Sequence, residues 1–238
     1  MILFKAYRAI DDYATCQEYA AGHRRVLEGF KLTNISTNNL DWAENPNVYV
    51  VIAQSLETGN LLGGIRIQVA DGVHPLPVED AVSHFDPKVH DMVNEYRING
   101  GTGELCGLWN SREEAPNMGI TLNLVLAGMS LCNQLPITSL FTIVAKYTLK
   151  IALQVGYRVE KGLGNSGEFV YPNSNYVARV LSMNPQTLEF TYDIYKDQIL
   201  NYRNNPEGSH MFEAPNGQSV KFNYQLTLPN ITPTGQNS

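Results

Sequence analysis

A run of alternating strand-like and helix-like segments in the middle of the chain limits the fold more than any other feature of this 238-residue sequence. The stretch "GELCGLWN" is short, mostly apolar and reads as a central strand. In "ITLNLVLAGMSLCNQL", Leu122, Val125, Leu126, Met129 and Cys132 fall on one face at helical spacing, as in a helix packed on a sheet. "SLFTIVAKYT" is a β-branched and aromatic run of the kind found in buried strands. "LKIALQV" then reads as a short helix closed by Gly156, and "YRVEKGLG" as another strand. Strands joined through helices in this way run parallel and need right-handed crossovers. The core is therefore expected to be an α/β sheet.

On either side of that core the pattern extends it. "DDYATCQEYAAGHRRVLEGF" carries Tyr13, Cys16, Tyr19 and Ala20 at helical spacing, with Asp11 or Asp12 placed to cap the helix. "NVYVVIAQSLETGNLLGGIRIQVA" predicts a hairpin of Val48 to Gln54 and Leu61 to Val69 about the turn "ETGN". Prolines 75 and 77 interrupt regular structure, and "PKVHDMVNEYRI" is helical. Beyond Gly167, "YVARVLSM" is a strand candidate, "TLEFTYDIYKDQILNYR" a tyrosine-rich helix, and "SVKFNYQLTL" a strand that closes an edge. The expected organisation is a domain over 1–185, a helix and strand extension of it over 186–230, and a disordered tail over 231–238.

With 43% hydrophobic and 17% charged residues, the composition is that of a folded globular chain. A net charge of -6 argues against wholesale binding to nucleic acid or anionic membrane. The start "MILFKAYRAIDDYATC" has charges where a signal peptide needs an apolar run, and no segment has the apolar length of a membrane span. A cytoplasmic protein is expected. The three cysteines have no paired spacing, so no disulfide framework or zinc site is implied. Phosphate-loop, zinc-protease and nucleophile-elbow motifs are missing, and the scattered His74, His84 and His90 give little reason to expect a metal.

One residue fits the strand poorly. Glu104 is a lone carboxylate in an apolar run, and burying an unpaired carboxylate is costly. It either faces solvent, pairs with an arginine such as Arg66, or does chemistry.

The order of elements, the hairpin with "GGIRIQ", the strand "GELCGLWN", a polar loop, an apolar helix and "LFTIVAKYTLKIALQVGYRVEKGLG", resembles the GNAT acyltransferase superfamily. Within it, the match is to the branch of the autoinducer (acyl-homoserine-lactone) synthases and long-chain N-acyl amino acid synthases, over roughly residues 5 to 185. The resemblance implies a mixed twisted sheet with a splayed central strand pair and flanking helices. Arg66 fits the arginine that follows the hairpin glycine in those synthases. Glu104 and Leu105 fit their "WELSRF"-like strand, with Cys106 and Gly107 replacing its serine and arginine, which counts against homoserine-lactone synthesis itself. Arg24 and Arg25 offer a shifted match to the first-helix arginines, and Asp41 and Glu44 to a pair of acids.

The implied activity is transfer of an acyl group from an acyl-CoA or acyl-carrier-protein phosphopantetheine thioester to a small-molecule amine such as an amino acid. Glu104 would serve as base. Gly107, Leu108, Trp109 and Asn110 would open the sheet to the thioester, with Trp109 and Asn110 at the reacting centre. Arg112, Gly119 and Ile120 would complete the donor site, although that loop is poor in glycine. Ala152 stands where acetyltransferases place a tyrosine acid. Arg66, Arg24, Arg25 and Trp109 would hold the acceptor, and Leu122, Val125, Leu126 and Met129 would line an acyl pocket or simply be core. Lys146, Lys150, Arg158 and Lys161 form a basic patch that could dock a carrier protein. The tyrosine-rich C-terminal segment could cover the acceptor side or make a homodimer contact. Two other readings stay open: a non-catalytic module that binds an acyl ligand or partner, and a plain acetyltransferase.

Overall fold

The computed structural model describes residues 1–32, 39–111, 113–214 and 217–229, so Arg112 and the 231–238 tail lie outside it. Ten strands and six α-helices follow one another in the order β1 (Ile2–Arg8), α1 (Tyr13–Gly29), β2 (Val48–Ser55), β3 (Leu61–Val69), α2 (Pro77–Val82), α3 (Lys88–Ile98), β4 (Thr102–Asn110), α4 (Ile120–Leu131), β5 (Ser139–Ala145), α5 (Lys146–Gln154), β6 (Arg158–Val159), β7 (Glu168–Val170), β8 (Val177–Met183), α6 (Asp193–Asn204), β9 (Glu207–Glu213) and β10 (Ser219–Gln225) among the described residues. All strands join one mixed sheet, β6-β8-β5-β4-β3-β2-β1-β10-β9, with β7 also on β8. β4 and β5 are parallel and connected through α4, which is the expected crossover.

Both faces of the central strands are covered, and the sequence of β2 reflects this. Tyr49, Val51 and Ala53 enter the core under α4, while Val48, Val50 and Ile52 pack with α1 on the opposite face. A strand buried on both sides reads as a continuous apolar run. Asp12 caps α1, its Oδ1 accepting from the Thr15 amide at 3.1 Å. Pro77 occupies the first turn of α2, where its missing N–H costs nothing, so the proline-rich stretch holds a short helix that the sequence reading did not anticipate.

Two elements changed the expected layout. β1 lies inside the sheet between β2 and β10. β10 is also interior, and the edge is β9, so "SVKFNYQLTL" does not close the sheet. The hairpin β9–β10 and helix α6 cover α4. Tyr202 Oη donates to Asn123 Oδ1 at 3.4 Å, and α4 is consequently buried nearly all round rather than on one stripe. Val125, Leu126 and Met129 belong to that core.

Phe222 of β10 is fully buried between Phe4, edge-on at 5.0 Å, and Phe212, stacked at 5.0 Å. Phe222→Ala should lower unfolding free energy in urea by about 3–5 kcal/mol. A loss under about 1 kcal/mol would mean that the C-terminal hairpin contributes little to the fold.

Candidate active site

β4 stays paired with β3 along its whole length but leaves β5 early. The parallel ladder runs Thr102 to Ser139, Gly103 to Leu140 and Glu104 to Phe141, and ends there. β5 continues beside β8 from Leu140 to Ala145, so the sheet parts between Leu105–Asn110 on one side and Thr142–Ala145 on the other. At the fork, Thr142 Oγ1 donates to the Leu105 carbonyl at 2.9 Å, taking a group that a continued ladder would use.

The parting coincides with a β-bulge. Cys106 pairs with Arg66 and Trp109 with Gly64, so Gly107 and Leu108 together oppose Ile65. Gly107 has φ +64°, which glycine adopts without the cost borne by other residues. A Cβ there would also lie 2.7 Å from Tyr19 Oη, and that hydroxyl donates to the Gly107 carbonyl. The bulge resets the alternation of side chains. Cys106 and Trp109 both face α1, and Leu108 packs on the α4 side.

On the α1 face, a polar row crosses β3 and β4 between two apolar clusters. Arg66 is only 2% exposed; its Nε donates to Cys106 Sγ at 3.4 Å and its guanidinium lies 4.4 Å over the Trp42 ring. Its Nη1 has no hydrogen-bond partner among the described residues, and neither has the Trp109 Nε1. Glu104 is fully buried. Its Oε2 accepts from the Val78 amide at 2.6 Å, while Oε1 has no partner among the described residues. Burial pushes the Glu104 carboxyl up to about 8, against the Val78 hydrogen bond and the Arg66 charge and with help from Glu79 and Asp80. Of the bland readings of Glu104, solvent exposure does not hold, and no ion pair joins it to Arg66 among the described residues.

Other predicted residues sort by position. Asn110 is half-buried at the far end of the gap, its Oδ1 accepting from Thr121 Oγ1 of the first turn of α4 at 3.1 Å. Gly119 caps α4 with φ +70°, and Ile120 is buried behind it. Leu122 is half-buried and packs against the α4-side core, as Leu108, Met118 and Leu149 do. Arg24 and Arg25 are exposed on α1, as are Asp41 and Glu44; the residues that turn inward from those segments are His23 and Trp42. Neither was singled out from the sequence. Burial brings His23 down to about 4, so its imidazole is neutral. Lys146 and Lys150 are exposed one turn apart on α5, and Lys161 is exposed beyond β6. Arg158 is engaged, donating to the Tyr157 carbonyl at 2.8 Å with its guanidinium over Phe190. Ala152 is buried in the core.

Cavities of about 620 and 270 Å³ lie elsewhere, the first around Thr138, Ser139 and Arg158 at the opposite end of β5, the second around His74, His90 and Arg97. No group of three or more His, Cys, Asp or Glu among the described residues could hold a metal ion, and no helix there is long and apolar enough to cross a membrane.

Comparison with solved structures decides the fold. The chain aligns with FeeM, an N-acyl amino acid synthase from uncultured soil microbes, at a TM-score of 0.55 and 13% identity over 79% of this chain and 99% of that one. The chain has the GNAT acyltransferase fold. Two further neighbours are Escherichia coli ElaA, with TM-score 0.54 and 9% identity over 77% of this chain and all of that one, and the CoA-dependent acyl-homoserine lactone synthase BjaI, with TM-score 0.51 and 16% identity over 84% and 90%. No protein-family model and no curated protein matches the sequence. The parted β4–β5 pair is thus the splayed centre expected of a GNAT sheet.

A carboxyl raised from 4.5 to about 8 by folding holds its proton more tightly in the native state. Its contribution to stability is full below about 4.5 and is lost as pH rises to about 8. Glu104→Gln, which keeps the shape without the charge, should therefore gain melting temperature on the parent as pH rises through that window and hold a constant advantage above it. A difference that does not change with pH would mean that Glu104 ionises normally.

Proposed function

We propose that this chain is an N-acyltransferase that moves an acyl group from a carrier-protein or CoA thioester to the amine of a small molecule such as an amino acid. The observation that carries this reading is the gap between β4 and β5 lying beside buried, unpartnered polar atoms of Arg66, Glu104 and Trp109. Unpaired strand edge in the gap can bind the pantetheine arm as an added strand and polarise the thioester carbonyl. The orphaned Arg66 Nη1 suits a carboxylate on the acceptor. FeeM, an N-acyl amino acid synthase, and BjaI, an acyl-homoserine lactone synthase, share this chain's fold, which favours a small amine acceptor here.

In this mechanism the acceptor binds beside Arg66 and Glu104. Its nitrogen attacks the thioester carbon, forming the C–N bond as the sulfur leaves as a thiolate, which solvent protonates. Glu104, in its ionised form, receives the proton from the nitrogen directly or through one water. Since burial raises that carboxyl to about 8, activity should climb with pH up to that value. Arg24 and Arg25 would act only at the entrance. Lys146, Lys150 and Lys161 provide the exposed positive charge for an acidic carrier. The core of residues 1–185 carries the chemistry, and 186–230 supports the donor end. A non-catalytic acyl-binding module remains the second reading, favoured by the buried state of Glu104 and by Ala152 in place of an acid.

Thiol release from acetyl, medium-chain and long-chain thioesters, measured with and without amino acids, distinguishes the two. The enzyme reading expects amine-dependent release, reduced about 100-fold or more in Glu104→Gln. Because that variant is expected to be more stable than the parent at neutral pH, a lost activity would not reflect unfolding. Binding of thioesters with no release under any amine would leave the module as the correct reading.

A further inference from the structure

A pantetheine arm lying in the gap has only one way out along β4. Asn110 ends the strand and is hydrogen-bonded to Thr121, so the arm's distal end arrives at the N-terminus of α4. A helix N-terminus ordinarily suits phosphate, because its free amides and dipole favour negative charge. Here an aromatic ring sits against that place. The ring of Phe212, from the C-terminal hairpin, lies directly on Gly119: a Cβ on that glycine would be 2.4 Å from Phe212 Cε1 and Cζ. The ring cannot easily swing away, because it stacks on the fully buried Phe222 at 5.0 Å and 13°. The first turn of α4 is tied down as well, with Asn123 Nδ2 donating to the Gly119 carbonyl at 3.0 Å and Asn123 Oδ1 accepting from Tyr202 of α6.

We propose that Phe212 is a specificity-determining residue that excludes the nucleotide of coenzyme A, so that the donor is a pantetheine thioester without an adenosine diphosphate moiety, such as one borne on a carrier protein. This rests on the thioester-transfer reading above. Selectivity then arises from a steric penalty against the larger donor rather than from extra contacts with the smaller one. The C-terminal extension accordingly guards the donor end of the gap, not the acceptor side.

Calorimetric titration of decanoyl-pantetheine and decanoyl-CoA into the full chain tests the idea without knowledge of the acceptor. The parent should bind decanoyl-pantetheine at least as tightly as decanoyl-CoA and should not bind adenosine 3′,5′-bisphosphate. Phe212→Ala should tighten decanoyl-CoA by about tenfold and leave decanoyl-pantetheine unchanged. If that variant does not fold, Phe212→Leu, which keeps an apolar contact with Phe222, should show a smaller shift in the same direction. A parent that prefers decanoyl-CoA by about tenfold, or a variant in which both ligands shift equally, would overturn the role of Phe212 while leaving acyl transfer intact. Failure of the parent to bind either thioester would instead remove the acyltransferase reading and this inference with it.

Discussion

The site depends on a change of partner within one strand. Up to Glu104, β4 is bonded to β3 and β5; after it, only β3 remains. The bulge at Gly107 and Leu108 makes this possible by inserting one residue and turning the strand, as bulges do near functional sites in many sheets. Glycine supplies the left-handed conformation, and the Tyr19 hydroxyl on its carbonyl fixes the bend from α1. Under plain alternation from Cys106, with no bulge, Leu108 would face α1 and Trp109 would face α4. The bulge therefore sets which side chains face the two halves of the site.

The second constraint is electrostatic. Arg66, Gln68, Glu104 and Cys106 form a polar row inside a largely apolar face. Gln68 is satisfied by the Pro75 carbonyl at 2.8 Å, but Arg66 and Glu104 each keep an unpaired atom. Buried polar groups without partners cost free energy that a well-packed apolar row would not. Glu104 avoids part of that cost by remaining protonated, and Arg66 by stacking on Trp42. A bound acceptor with a carboxylate and an amine would supply what both lack. On this account the unpaired Arg66 and Glu104 atoms cost stability that a bound acceptor restores.

Much of this was legible in the sequence, and the reasons are specific. The β2–β3 hairpin and the order β4, α4, β5, α5 follow from strong periodicity and turn chemistry, Glu104 stood out as a lone carboxylate in an apolar run, and Arg66 was marked by the resemblance of "GGIRI" to the synthases. The bulge was not legible, because "CGLW" reads equally well as plain strand until the register with β3 is known. His23 and Trp42 were overshadowed by their charged neighbours Arg24, Arg25, Asp41 and Glu44, which turn out to face solvent. β1 carries Lys5 among its apolar residues, and β9, "EGSHMFE", has almost no strand pattern. It is an exposed edge whose inward residues are His210 and Phe212, and Phe212 matters because the sheet brings its ring to Gly119.

Amide hydrogen exchange on β4 tests the central claim most directly, since it reports whether the strand edge beyond Glu104 is free. In the unliganded protein, the amides of Leu105–Asn110 that face away from β3 should exchange much faster than those of Thr102–Glu104. A non-reactive thioether analogue of decanoyl-pantetheine should protect them. Equal protection along the whole strand before ligand is added, or no change once the analogue is bound, would contradict the account.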